Sequence, residues 1–131
     1  MGEKPSEAKL KQVLPQLPSE LPASYLTFLE KYNGASGDLP VQPFYFQIWG
    51  TDEIINNNEG YEIKNYLPDY FGIGGNGGGE LLALHLKNQK IFSIPFIPMA
   101  EEYASLVAKD FENFIKIMGM TSADESVTKR G

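Results

Sequence analysis

Y-F-G-I-G-G-N-G-G-G-E-L-L-A-L-H-L, residues 70–86, is the stretch that decides how this chain folds. Its centre matches G-x-G-x-x-G, but a dinucleotide site needs a helix after the glycines. Residues 81–86 instead have β-strand spacing, and 87–90 read as a tight turn. No Gly-Lys-Ser/Thr follows, which excludes a P-loop. The stretch predicts strand, glycine turn and strand, with glycines that allow positive φ and close backbone approach. An anion nest of successive N–H groups stays open as an alternative.

Hydrophobic spacing on either side of the turn predicts the other elements. Strands are expected over 44–49, 70–73, 81–86 and 91–94. Helices are expected over 6–14 with Ser6 as the cap, from Pro22 to Asn33-Gly34, after a cap at Thr51, and over 101–118. The last helix allows a break near Leu106 and ends at Gly119. Residues 35–43 are expected to form a loop, and the ambiguous pattern of 61–66 allows an extended conformation.

These elements predict an α+β fold. Strands joined by short turns pair antiparallel, so we expect a single antiparallel-rich twisted sheet with N- and C-terminal helices packed on it. The 131 residues suffice for one domain. We expect that domain over 1–119 and a flexible tail over 120–131.

Composition narrows the classes of function. The net charge is −6 and Arg130 is the only arginine, so no basic cluster is available to neutralise nucleic acid phosphates. An acidic domain suits a basic protein partner, although mild acidity can also serve solubility alone. The chain has no cysteine, which fits the cytoplasm, where we expect the protein to act. No apolar stretch is long enough for a membrane span, so no membrane partner is expected.

The sequence offers few groups for catalysis. His85 is the only histidine, and no partner residues stand at metal or triad spacing from it. It is expected to face out of its strand or to lie at a layer edge. The acidic pairs Asp52-Glu53 and Glu101-Glu102 lie near predicted helix starts, where the helix dipole favours negative charge. We therefore predict no catalytic, cofactor-binding or metal-binding residues.

Trp49 has two interpretations. It ends a strand, shares a strand face with Tyr45 and Gln47, and is followed by acidic residues. An amphipathic aromatic beside carboxylates suits a protein interface. The alternative is a partly buried tryptophan that shields the sheet edge.

Four segments carry a resemblance to a known family. They are L-P-A-S-Y-L-T-F-L-E-K-Y-N-G at 21–34, F-Q-I-W-G-T-D-E-I-I at 46–55, I-G-G-N-G-G-G-E-L at 73–81, and I-P-F-I-P-M at 94–99 with A-K-D-F-E-N-F-I at 108–115. Their order and spacing over residues 6–119 resemble the SUKH superfamily, the Smi/Knr-type domain. The positions that match its pattern are Pro22, Tyr25, Phe28, Asn33, Gly34, Gly78, Gly79, Glu80 and Phe111.

The resemblance implies an α+β fold and no catalytic residue set. Many bacterial members are thought to be immunity proteins that bind and neutralise toxins, and fungal relatives regulate cell-wall synthesis and signalling. The toxin-binding surface varies between members, so it does not carry over residue by residue. The matching turn positions, such as Asn33 and Glu80, are expected to shape turns.

The leading hypothesis is a non-catalytic protein-binding module, an immunity protein that covers a basic toxin domain. The partner-binding candidates are Trp49, Asp52, Glu53, Glu59 and Glu62. The second hypothesis is a regulatory or scaffolding protein without a toxin partner. The third is an enzyme or small-ligand domain that uses the glycine turn and His85. A deep pocket at residues 74–80 would support this hypothesis.

Overall fold

One antiparallel sheet forms the centre of the molecule. The computed structural model describes residues 4–120. Within that range the strands are β1 (Ala35–Asp38), β2 (Tyr45–Ile48), β3 (Tyr70–Gly75), β4 (Glu80–His85), β5 (Ile91–Pro95), β6 (Ser105–Ala108) and β7 (Gly119–Met120). They lie in the order β6-β5-β4-β3-β2-β1-β7, and every neighbouring pair is antiparallel.

The glycine stretch forms the β3–β4 hairpin at the middle of this sheet. Tyr70 pairs with His85 at one end, and Gly75 pairs with Leu81 at the other. The predicted strand, turn and strand are therefore confirmed. The glycines divide into two sets, because 72–75 belong to β3 and only 76–79 form the turn. A shift in register between Gly72 and Gly74 marks a bulge in β3.

Aromatic side chains join two of the helices to the sheet. The helices are α1 (Glu7–Val13), α2 (Ala23–Lys31), α3 (Ile54–Gly60), α4 (Ile63–Tyr66) and α5 (Phe111–Ile117), with short 3-10 turns at Leu14–Gln16 and Glu101–Tyr103. Tyr25 of α2 meets Phe111 of α5 edge to face, with ring centroids 5.3 Å apart. Phe114 of α5 packs on Phe46 of β2 at 6.2 Å. The predicted α+β fold is confirmed.

Local signals set the ends of α1 and α2 as predicted. The Ser6 hydroxyl accepts a hydrogen bond from the backbone N–H of Lys9, 3.1 Å away, and so caps α1. Pro22 lies at the N-cap position of α2. After α2 ends at Lys31, Gly34 adopts φ 98°, a left-handed value that glycine takes without steric cost.

Two segments that were predicted as loop or helix are strands. Residues 35–43 do not form a loop throughout, because 35–38 pair along their whole length with β2. Residues 101–118 are not one helix, since β6 and its pairing with β5 interrupt it. The helix α5 begins only after Asp110, whose carboxylate accepts a hydrogen bond from the Asn113 N–H at 2.8 Å. Pairing with distant strands overrides the local pattern at both places.

The structure resolves one ambiguous segment and shows that two smaller expectations, at Thr51 and Gly119, were wrong. Residues 61–66 are not extended, because 63–66 form the single turn α4 around the buried Ile63. Thr51 does not cap α3, which begins at Ile54 with Glu53 at its N-cap. Gly119 is not a helix cap but part of β7, where Met120 pairs with Gly37. The rest of the predicted tail, 121–131, lies outside the described residues.

His85 lies at the end of β4, as expected for a layer-edge residue. Its ring is half-buried and packs edge to face on Tyr70, with ring centroids 4.7 Å apart. Its Nδ1 accepts hydrogen bonds from the backbone N–H groups of Lys87 and Asn88, both at 3.2 Å. The histidine therefore shapes the β4–β5 turn through its ring nitrogen.

Replacing Tyr25 with phenylalanine is expected to stabilise the protein. The Tyr25 hydroxyl is fully buried and has no hydrogen-bond partner among residues 4–120. Its removal should raise the free energy of unfolding by about 1 kcal/mol, because an unsatisfied buried hydroxyl is costly. Urea denaturation at neutral pH measures this, with the exposed Tyr66→Phe as the matched control that should change nothing.

The same variant should alter the alkaline stability. Burial raises the pKa of Tyr25 above its ordinary value of 10.0. The unfolded chain therefore loses this proton first, and stability falls as pH rises above 10. Tyr25→Phe should flatten that fall, whereas an equal fall in both proteins would contradict the assignment.

Candidate protein-binding surface

Acidic side chains are concentrated between β2 and β3. Residues 51–69 contain five carboxylates and one lysine, in a chain of net charge −6. Asp69 pairs with Lys87 at 3.5 Å, whereas no lysine of the described range lies within 4.0 Å of the other four carboxylates. All four are exposed. We call them, together with Tyr61, the acidic surface: Asp52, Glu53, Glu59, Glu62 and Tyr61.

The fold brings some of these carboxylates together and separates others. Asp52 and Glu59 lie at opposite ends of α3 and line one depression of about 190 Å³. Glu53 borders a different depression, beside Gly34 and Trp49. The acidic surface therefore runs along both sides of α3, and a partner that contacts all of it has to cover this helix.

Glu62 holds an unusual backbone conformation. Its φ of 55° and ψ of 44° are left-handed, a region that favours glycine, and it precedes α4 directly. Its side chain is exposed and accepts a hydrogen bond from the Asn65 amide at 3.0 Å. Glycine would adopt this backbone with less strain, so the carboxylate is retained at a conformational cost.

Of the two interpretations of Trp49, the structure matches the buried one. Only 9% of Trp49 is exposed, so this candidate offers little surface to a partner. Its ring stacks on Tyr61 with centroids 6.1 Å apart, and Tyr61 also packs on Phe96 at 4.6 Å. Tyr61 is 45% exposed, so this ring reaches solvent beside the acids. It was not among the predicted candidates, although E-G-Y-E at 59–62 places it between Glu59 and Glu62.

Asn33 links the end of α2 to the start of the acidic surface. Its side-chain oxygen accepts hydrogen bonds from the backbone N–H of Thr51 at 3.0 Å and from the Thr51 hydroxyl at 3.2 Å. Its side-chain nitrogen donates to the Asp52 carboxylate at 3.0 Å. One amide thus satisfies the buried Thr51 and orients the first carboxylate.

A second amide, Asn58, joins α3 to the glycine strand. Its oxygen accepts from the Gly72 N–H at 2.8 Å, and its nitrogen donates to the Gly72 carbonyl at 2.9 Å. The same nitrogen donates to the Ile54 carbonyl at 2.9 Å. Asn58 therefore takes the place of a strand partner where β2 no longer pairs with β3.

The glycine turn is closed by Asn76. Its side-chain oxygen accepts from the N–H groups of Gly78 at 2.9 Å and Glu80 at 3.1 Å. Gly77 has φ 78°, and Gly78 and Gly79 are exposed. The Asn76 side chain is therefore the acceptor for these two N–H groups, and no external anion is needed to explain their orientation.

Two larger depressions are present, and the acidic surface borders one of them. A groove of about 420 Å³ lies beside the glycine turn and includes Asn76 and Glu80 in its lining. A cleft of about 560 Å³ lies between α3 and the 3-10 turn that follows α1, and its lining includes Glu59 and Tyr70. Two causes raise the pKa of Tyr70 to about 12. The larger is burial, and the second is the Glu101 carboxylate, which lies 3.3 Å from the Tyr70 hydroxyl.

Neither metal binding nor membrane insertion finds support in the described range. Residues 4–120 contain no group of three His, Cys, Asp or Glu side chains arranged to hold a metal ion. The helices in this part of the chain are too short and too polar to cross a membrane.

Comparison with known proteins gives one clear result. A search of curated proteins finds no match to this chain. The family model described as SMI1 / KNR4 family (SUKH-1) matches residues 4–117, which is most of the chain and includes the whole hairpin and both packing helices. This protein therefore belongs to the SMI1/KNR4 family, SUKH-1.

Proposed function

We propose that the protein is a non-catalytic binding module that neutralises a toxin domain in the cytoplasm by covering its basic active cleft. Members of its family are generally immunity or regulatory proteins. The observation that carries the proposal is the acidic surface, with four exposed carboxylates that no lysine of residues 4–120 pairs with. Carboxylates in and around α3 that no lysine of this range pairs with are available to a basic partner.

The mechanism is steric and electrostatic. Complementary potentials speed the encounter and disfavour partners of the wrong charge. Tyr61 supplies a rigid aromatic contact, which is the kind of residue that anchors interfaces. The strained backbone of Glu62 supports the same conclusion, because its carboxylate is kept where glycine would be less strained.

Charge reversal of the acidic surface tests the proposal. The partner to be tested is the protein encoded by the neighbouring gene, and the measurement is its Kd by calorimetry. Asp52→Lys with Glu53→Lys should weaken binding by about 100-fold, since attraction becomes repulsion. The wild-type affinity should also fall as salt increases. The control is Glu30→Lys with Glu112→Lys, two exposed acids on α2 and α5 that give the same change in net charge.

Two outcomes would contradict the proposal at different levels. An unchanged Kd after reversal at Asp52 and Glu53 would remove these residues from the interface. No binding to the neighbouring toxin domain by the wild-type protein would reject the immunity role and favour the regulatory alternative. Circular dichroism of each variant excludes loss of fold as the cause.

A further inference from the structure

The groove beside the glycine turn has the features of a built binding site. It spans the sheet from the segment before β2, past the hairpin, to the start of β6. Its volume is about 420 Å³, within the range of sites that take small groups. The residues that line it are Gln42, Pro43, Phe44, Asn76, Glu80, Ser93, Pro95, Tyr103 and Ser105.

A carboxylate that forms no salt bridge within residues 4–120 lies in this groove. Glu80 is half-buried, and one of its oxygens accepts a hydrogen bond from the Ser93 hydroxyl at 2.8 Å. Ser93 is only 3% exposed, so the hydroxyl holds the carboxylate from within the sheet. No lysine of residues 4–120 lies within 4.0 Å of Glu80. The free oxygen of a partly buried carboxylate favours a cation at this place.

Two exposed aromatic rings share the groove with this carboxylate. Phe44 is 58% exposed and Tyr103 is 48% exposed. Phe44 has φ 70°, a left-handed conformation that bulky residues rarely take. Its N–H donates to the Val41 carbonyl at 2.8 Å, and its own carbonyl accepts from the Leu39 N–H at 3.0 Å. These bonds hold a large apolar ring toward solvent at a strained position, which is unusual unless the ring has a contact to make.

A carboxylate with aromatic walls fits one kind of side chain. A guanidinium group is planar, always charged, pairs with carboxylates through two N–H donors and stacks on aromatic faces. The ammonium group of lysine can pair with the carboxylate but stacks less well on the rings. The neutral urea group of citrulline lacks the charge. We propose that this groove binds an arginine side chain presented by the protein partner. The proposal rests on the proposed function, because a toxin domain with a basic cleft supplies such an arginine.

An NMR titration of the full-length protein tests the groove directly. The probe is the capped tripeptide Gly-Arg-Gly, and the matched probes carry lysine or citrulline in place of arginine. The arginine peptide should shift the backbone amides of Asn76, Glu80 and Ser93 with a Kd of about 1 mM. Lysine should bind more weakly, and the uncharged citrulline should give no saturable shift.

Matched variants locate the interaction. Glu80→Gln keeps an acceptor for the Ser93 hydroxyl but removes the charge, and it should weaken arginine binding at least about 10-fold. Tyr103→Ala, at an exposed position, should weaken binding without loss of fold. The control Glu102→Gln removes the same charge from an exposed neighbour of Tyr103 outside the groove lining and should leave the Kd unchanged.

Four results would overturn the assignment. Three of them are the absence of saturable shifts, equal binding of the citrulline peptide, and equal binding by Glu80→Gln. A fourth is binding that appears only in Arg130→Gln, which would assign the groove to the single arginine of the chain itself. The two proposals fail separately. If Glu80→Gln leaves toxin binding unchanged, only the groove proposal is rejected. If the protein binds the arginine peptide but not the toxin, only the immunity role is rejected.

Discussion

Replacing Gly74 with alanine is expected to cost at least about 3 kcal/mol of stability, a large share of the roughly 5–15 kcal/mol by which a domain is stable. A Cβ at this position would lie 2.2 Å from the Gln47 carbonyl oxygen and 3.0 Å from the Ile48 Cα. Both atoms belong to the backbone of β2, so no side-chain rotation relieves the overlap. Only Gln47 and Ile48 of β2 pair with β3, and a strand shift would break that connection.

The measurement is urea denaturation followed by circular dichroism. Gly79→Ala is the matched control, because a Cβ there would meet nothing within 4 Å. It should change the free energy of unfolding by no more than about 1 kcal/mol. A Gly74→Ala protein as stable as this control would show that β2 and β3 do not approach as closely as described.

Asn58→Ala is expected to cost about 2–5 kcal/mol. The substitution removes the amide that bonds both the N–H and the carbonyl of Gly72. Gly72 is buried, so both groups would remain without a partner, and each such loss costs about 1–3 kcal/mol. The better helix propensity of alanine offsets only a few tenths of this amount.

Asn56→Ala provides the control for this prediction. Asn56 lies in the same helix and is exposed, so the same change in composition should leave stability within about 0.5 kcal/mol of wild type. Amide hydrogen exchange gives a second measurement, since the Gly72 N–H should lose protection in Asn58→Ala. Equal stability of the two variants would mean that the Asn58 bonds contribute nothing net.

Elements whose cause is local could be predicted from the sequence. The strand, glycine turn and strand follow from the absence of helical spacing after the glycines, and the aromatic stripe of α2 follows from 3.6-residue spacing. The Ser6 cap is set by a hydroxyl beside the N–H groups that it accepts from. The four acids of the acidic surface were also identified, because charged side chains are seldom buried.

Features that depend on distant parts of the chain could not be predicted. The polar strand β1 exists because it pairs along its whole length with β2, and β6 exists because it pairs with β5. Nothing near Trp49 in sequence shows that Tyr61 stacks on it and packs in turn on Phe96. In each case a partner far along the chain decides whether a residue is paired, buried or exposed.

The stretch 70–86 shows both kinds of cause in one element. Its sequence alone determined that a glycine turn joins two strands and does not form a phosphate loop. Only the tertiary structure decided what each residue does there. Gly74 admits the backbone of β2, Gly72 receives the Asn58 amide, and Glu80 meets Ser93 in an aromatic groove. Local spacing sets the backbone path, whereas hydrogen bonds and packing with distant residues set the chemistry of each position.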